Sequence, residues 1–326
     1  MYVTQIGAQK YEIYSRVVTV RVQASLFPVF SDVEWELFAL VPIINKSPRP
    51  RVLLRSMIHT ANISDAKCIL VVGATAGIGR DLAIALHDLP SRPVVVVTGR
   101  RQERLDELSS AHERVEAVNF DVTAGREELE KFVKDITAKY PHLDALVFAA
   151  GVQHVFNFHK PEEIDLDVFD VEINTNYTSI AITTILLLPH FLKLNAEGRP
   201  SFIVPISSGL GLCPAPWVPN YAATKAAVHS FALSLSSQLE DTNVHVMEII
   251  PPLVESELHD HQGTTPRLSK VWMPLSQFTP LAVEGLLRGD LQIAIGNSHK
   301  VWERFDKEKV VAVAEERQRA NHIKKD

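Results

Sequence analysis

The stretch CILVVGATAGIGRDLAIALHDL, residues 68–89, limits what this chain can fold into more than any other part of the sequence. Its first five residues are apolar at every position, the signature of a strand buried on both faces, and such strands belong to parallel sheets covered by helices on both sides. The run enters a turn built on Gly73, Gly77 and Gly79 and then a helix whose leucines and alanines share one face. Gly73 permits a tight turn, Gly77 lets backbone approach a pyrophosphate, and Gly79 lets helix and strand pack closely. The helix start adds unpaired N–H groups and positive dipole, which favour an anion. The spacing is G-x-x-x-G-x-G rather than the commoner G-x-G-x-x-G. Placed after a first buried strand, it predicts a dinucleotide site contacted by Gly73, Thr75, Ala76, Gly77, Ile78 and Gly79.

The same rhythm repeats along the chain. PVVVVTG, VEAVNFDV, LDALVFAAG, SFIVPISS, VHVMEIIPP and LQIAIG read as further strands. Between them lie amphipathic segments, among them helices across 125–139, about 167–192 and 221–240. The predicted fold is α/β, a Rossmann-type doubly wound parallel sheet over residues 67–296. Residues 257–280 within it read as a substrate lid, and 297–326 as a charged helical tail on the surface. Residues 1–66 stand outside the pattern: RVVTVRVQ alternates like a strand, VEWELFALVPII fits helix or strand, and NKSPRPRV reads as a linker. This extension is structured, a weak organelle-targeting segment, or dispensable with Met57 as an alternative start.

With 33 basic and 39 acidic side chains and a net charge of −6, a nucleic-acid partner is not expected, because phosphate binding needs a basic surface. The two cysteines, Cys68 and Cys213, fit a reducing compartment without a disulfide framework. IAITTILLLPHFL is interrupted by threonines, Pro189 and His190, so no transmembrane segment is expected, and the chain reads as cytoplasmic. The N-x-S/T matches at Asn62 and Asn176 read as chance, and the RGD at 288–290 as a turn. His259 and His261 lack a set of further ligands, and no metal is expected.

The second strand ends VVVVTGRRQ, with no carboxylate to bond a ribose 2′-hydroxyl. Arg100 is instead expected to accommodate a 2′-phosphate, which favours NADP(H) and leaves NAD(H) possible. Asp121 and Val122, after the third strand, are placed to contact an adenine edge.

Taken in order, the glycine turn, FDV, AAG, an asparagine in the fourth helix, a serine and Y-x-x-x-K resemble the short-chain dehydrogenase/reductase family. ISSGLG, ATKAAVHSFALSLSSQLEDT and PPLVESEL are most similar to its DltE-like oxidoreductases. The resemblance implies a catalytic set of Ser208, Tyr221, Lys225 and Asn176. Tyr221 would be the general acid/base, Lys225 one helical turn away would lower the phenol's pKa, and Ser208 would donate to the substrate oxygen. Asn176 is chosen over Asn174 because it precedes Pro189 by the family's interval, and Ser208 over Ser207 by its interval to Tyr221. Ala150 and Gly151 keep the family's small residues beside the cofactor, although Phe148 and Ala149 replace two asparagines. Pro251, with Pro252 in place of glycine, leads to Val254 and Ser256, implied contacts of the nicotinamide carboxamide. Substrate would be a small carbonyl or alcohol compound, and a homodimer or homotetramer packed through the fourth and fifth helices is implied. A non-catalytic NAD(P)-binding regulator is the competing reading. His154 and His159 read as surface or packing residues, and Trp217 as a pocket wall.

Overall fold

The central sheet has six strands, β1 (Cys68–Val72), β2 (Val94–Gly99), β3 (Val115–Asn119), β4 (Leu143–Phe148), β5 (Ser201–Pro205) and β6 (Val244–Val246). They are all parallel, in the order β3–β2–β1–β4–β5–β6. This is a computed structural model; it describes residues 61–323 and, before them, the short strands Tyr14–Val17 and Leu40–Ile43, which pair antiparallel. The linker read at 45–52 and Met57 lie outside the described residues.

Strand periodicity sorts the core into two layers. Ile69 and Val71 join Val95, Val97, Ala145 and Val147 on one face, whereas Leu70, Val72, Val96, Leu146 and Phe148 point to the other. Both layers are dry, which is why the strands read as continuous apolar runs. The first layer is covered by α1 (Gly77–His87) and α2 (Gln102–Ala111), the second by α3 (Arg126–Lys139) and α6 (Pro219–Gln238). The second face is also covered by a helix that begins as α4 (Leu166–Ile173), widens into a π-helical turn at Asn174–Thr178, and continues as α5 (Ser179–Ala196). At the foot of the sheet the buried Asp144 carboxylate accepts hydrogen bonds from Lys67 N (2.9 Å) and Cys68 N (3.0 Å), tying the start of β1 to β4.

Several boundaries differ from the sequence reading. Ile63 and Ala66 are fully buried, so the packed unit starts at Ala61 rather than Lys67. Asn62 caps the turn Ile63–Asp65, accepting from Ser64 N at 2.9 Å, which gives the NIS triplet a local structural reason. The continuous helix Leu166–Ala196 is long and apolar enough to cross a membrane by length and composition alone. Its apolarity follows from its place in the fold, with Ile180, Leu187, Phe191 and Leu194 in the core. Arg288 hydrogen-bonds Asp290 around a left-handed Gly289, so the RGD triplet is a helix-ending turn.

The tail is more than a surface helix. VHVMEIIPP breaks at Met247 into β6 and β7 (Glu248–Ile250), and β7 pairs in parallel with β8 (Gln292–Ala294), which follows α7 (Leu275–Arg288). Beyond lie α8 (Asn297–Phe305) and α9 (Lys309–Ile323), and Asp306 between them is buried. His229 on α6 holds Glu248 through Nδ1 (2.9 Å) and Asp306 through Nε2 (3.0 Å). Burial opposes the imidazolium, but the two carboxylates outweigh it and push His229 up to about 9.

An unfolded histidine titrates near pH ~6.5, so this anchor contributes fully below that and is lost as pH rises through 9. Urea unfolding at pH 6.5 and 9.5 is expected to show a loss on the order of 2 kcal/mol that His229→Gln largely removes.

Candidate active site

The cleft opens at the carboxyl ends of the strands, where the chain order reverses between β1 and β4. Gly73 has φ +87°, and a Cβ there would stand 2.4 Å from Ala150 N. A Cβ on Gly79 would stand 2.2 Å from Gly73 O. The turn, the α1 start and the end of β4 therefore touch through backbone, and only glycine fits. What remains above them is a cleft of about 410 Å³.

Most of the sequence-derived contacts line it. Thr75, Ala76, Gly77 and Ile78 form one wall, Arg100 and the Asp121–Val122 step one end, and Ala150 and Gly151 the floor. Tyr221, Lys225, Pro251 and Ser256 close the far end. Asp121 folds back on its own loop, accepting from Thr123 N at 2.9 Å. Val254 departs from expectation: its bridge to Met273 turns the side chain into the core, away from the cleft. Trp217 is 61% exposed and does not line the cleft. The lid is shorter than 257–280, because α7 begins at Leu275 and buries Phe278.

The four predicted catalytic side chains converge. Ser208 follows β5 and caps a one-turn helix, its Oγ accepting from Leu210 N at 3.1 Å, and it also hydrogen-bonds the Tyr221 hydroxyl. Lys225 lies one turn beyond Tyr221 on α6, with Nζ 5.6 Å from the Tyr221 ring centre. The Lys225 ammonium donates to Ile206 O at 2.8 Å. Asn176 sits within the π-helical turn, a distortion that often marks functional positions. Its side chain brackets Val152, accepting from N (2.9 Å) and donating to O (2.8 Å), and also donates to Thr224 Oγ1 (3.2 Å). The backbone of Gly151 lies between Asn176 and Lys225. Ser207, expected as packing, also lines the cleft, and its buried Oγ has no partner among the described residues.

One electrostatic expectation is reversed. Burial pushes the Tyr221 phenol up to about 12, against the Ser208 hydrogen bond that favours the phenolate. Burial also pushes the Lys225 amine down to about 8, and the hydrogen bond it makes goes to Ile206 O. Behind this pair lies a carboxyl that the sequence reading missed. Glu172 is fully buried, 2.8 Å from His154 Nδ1, and burial pushes it up to about 7 against hydrogen bonds from His154 and Asn220. The His154 ring also packs on that of His261, a lid residue lining the cleft, with centres 4.8 Å apart.

The arginines also differ from expectation in detail. Arg100 is exposed on the cleft wall, whereas Arg101 is built in, donating to Thr75 Oγ1 from Nε (3.0 Å) and Nη2 (2.7 Å). Arg101 and Arg104 share the carboxylate of Glu257, and their hydrogen bonds hold it below the usual range. The i, i+3 spacing of the two arginines was a readable signal. Their partner 153 residues away was not.

A family model described as short chain dehydrogenase matches residues 67–266. The "Uncharacterized oxidoreductase DltE" of Bacillus subtilis (strain 168) is 34% identical over 229 residues, covering 69% of this chain and 86% of that protein. This chain belongs to the short-chain dehydrogenase family. The "NADP-dependent 3-hydroxy acid dehydrogenase YdfG" of Escherichia coli (strain K12) is 32% identical over 187 residues, 57% of this chain and 72% of that one. Among solved structures, a short-chain dehydrogenase from Sphingobium yanoikuyae in complex with NADPH superposes with a TM-score of 0.62 at 22% identity, covering 70% of this chain and 86% of that chain, a likeness of fold.

The glycine contacts give a direct test. Gly198 shares a positive φ, +76°, but a Cβ there would meet nothing within 4 Å. Gly198→Ala is expected to lower stability by only about 1–2 kcal/mol, and Gly73→Ala by at least about 1–3 kcal/mol more through overpacking. Chemical denaturation of both variants checks the difference.

Proposed function

We propose that this protein is an NADP(H)-dependent oxidoreductase that interconverts an alcohol and a ketone or aldehyde. The observation that carries the reading is the convergence of three buried side chains: Tyr221 and Lys225 on α6 line one end of the cleft, and Ser208, just after β5, hydrogen-bonds the Tyr221 hydroxyl behind it. The cleft fits a dinucleotide on its own geometry. The glycine turn leaves room for a pyrophosphate beside the α1 N-terminus, and the β2 end presents arginines rather than an acid. The NADP dependence in the YdfG relative's name supports the same cofactor.

When bound, the nicotinamide supplies or accepts the hydride. The chain's own residues handle the oxygen. Ser208 donates a hydrogen bond to the substrate oxygen, and Tyr221 delivers its proton to that oxygen during reduction. A phenol at about 12 is fully protonated at neutral pH, so the resting site is charged with the proton that reduction consumes. Lys225, at about 8, is the group that changes charge nearest neutrality, and Asn176 fixes the backbone at Val152 beside it. Exposed Val171 and Ile185 on the outer face of α4 and α5 support self-association through that helix.

Tyr221→Phe is expected to lower turnover by about 10²–10⁴-fold while NADPH binding, followed by nicotinamide fluorescence, survives. Full activity in that variant would sink the catalytic assignment. Lack of binding by the wild-type protein would sink the cofactor assignment. With the wild type, carbonyl reduction is expected to fall and alcohol oxidation to rise as pH is raised through 8, where Lys225 loses its proton. Initial rates in both directions at matched saturation check the opposite slopes.

A further inference from the structure

Glu257 is the first residue of the lid and follows Ser256 directly. Its carboxylate spans two guanidinium groups on the opposite wall, 2.5 Å from Arg101 Nη1 and 2.6 Å from Arg104 Nη1. Arg101 is fixed from behind by its two hydrogen bonds to Thr75 Oγ1, and Arg104 Nη1 also reaches Thr75 O at 3.3 Å. The pair is thus anchored on the glycine turn, and Arg101 and Glu257 line the cleft, with Arg104 just behind them. Ser256 also lies against that turn, its Cβ 3.3 Å from where a Cβ on Gly77 would stand. In this arrangement the lid begins on the cofactor wall, fastened by an anion.

A carboxylate bridging two guanidinium groups occupies the same donors that a phosphate monoester would take. The three side chains are 38–45% exposed, so the contact is screened and weak enough for a more highly charged anion to replace it. A neutral ribose hydroxyl has no such advantage. The rest of the β2 end, TGRRQ, carries no acid, so Glu257 supplies the negative charge from a distant part of the chain.

We propose that Glu257 is a specificity-determining latch, holding the lid on Arg101 and Arg104 until the ribose 2′-phosphate of NADP(H) takes its place. The 2′-hydroxyl of NAD(H) leaves the latch shut. This rests on the NADP(H) reading above and adds to it a residue that resists the cofactor and thereby ties lid release to the 2′-phosphate.

The test uses adenosine 2′,5′-bisphosphate and adenosine 5′-diphosphate, which lack the nicotinamide and so report on this end of the cleft alone. Calorimetric titration of the full chain and of Glu257→Gln is expected to show the bisphosphate binding about 3–10-fold tighter to the variant, with the 5′-diphosphate unchanged. Equal tightening of both probes would reduce Glu257 to a general repulsive charge and overturn the latch, as would no change in either. Lid release has its own readout, since Arg267 and Lys270 are exposed trypsin sites within the lid. The bisphosphate is expected to speed cleavage there in the wild type, the 5′-diphosphate to leave it unchanged, and Glu257→Gln to be fast with neither present. Wild-type cleavage that ignores the bisphosphate while binding it overturns the latch. If neither protein prefers the bisphosphate, the NADP(H) reading fails and the latch falls with it; equal preference by both sinks the latch and leaves that reading standing.

Discussion

The backbone contact between Gly73 and Ala150 is the constraint on which the rest depends. It brings the ends of β1 and β4 together where the strand order reverses, so that the helices which follow diverge to opposite faces of the sheet. The space left between them is the cleft. A side chain at Gly73, or at Gly79 packed beneath it, would fill the floor and push the turn away from β4. The small residues are therefore a shape requirement of the fold and of the ligand at once, and the two requirements cannot be separated by mutation at Gly73 alone.

The end of the cleft that holds Tyr221 and Lys225 is arranged by burial. Tyr221, Lys225 and Ser208 are each less than a tenth exposed, and their surroundings act against charge on both the phenol and the amine. The outcome is a site that holds its proton on tyrosine and brings the lysine down to about 8, with Ile206 O accepting from the amine and Asn176 clasping Val152 nearby. Charge developing on a substrate oxygen would meet fixed donors in a medium that screens poorly, which is where hydrogen bonds act most strongly.

Local signals made the architecture and most of this site legible. Strands buried on both faces announce a parallel sheet, and β1 with its glycine turn locates the cleft without knowledge of anything distant. Tyr221, Lys225 and Ser208 were readable because an α-helical turn and a strand end fix their relative positions. The same logic missed what depends on chain segments meeting across the fold. Glu172 looked like one more acid on a helix, and only its burial against His154 and Asn220 separates it from its neighbours. Glu257 found Arg101 and Arg104 through folding alone. The reversed tyrosine shift has the same origin, since one-turn proximity says nothing about how dry a site is or which carbonyl claims the ammonium. The π-helical turn at Asn176 and the burial of Asp306 were hidden for a related reason, because neither leaves a periodicity to read.

His229 completes a line along α6, one turn after Lys225 and two after Tyr221. Its counter-charge Asp306 lies between α8 and α9, and Lys309 and Gln292 close around that carboxylate. The helix that carries Tyr221 and Lys225 is therefore seated by a residue 77 positions after His229. A nascent chain released early would have the cleft and its glycines but an α6 still short of its final clamp. Assembly of this end of the cleft is in this sense deferred until the segment around Asp306 has been made and has docked.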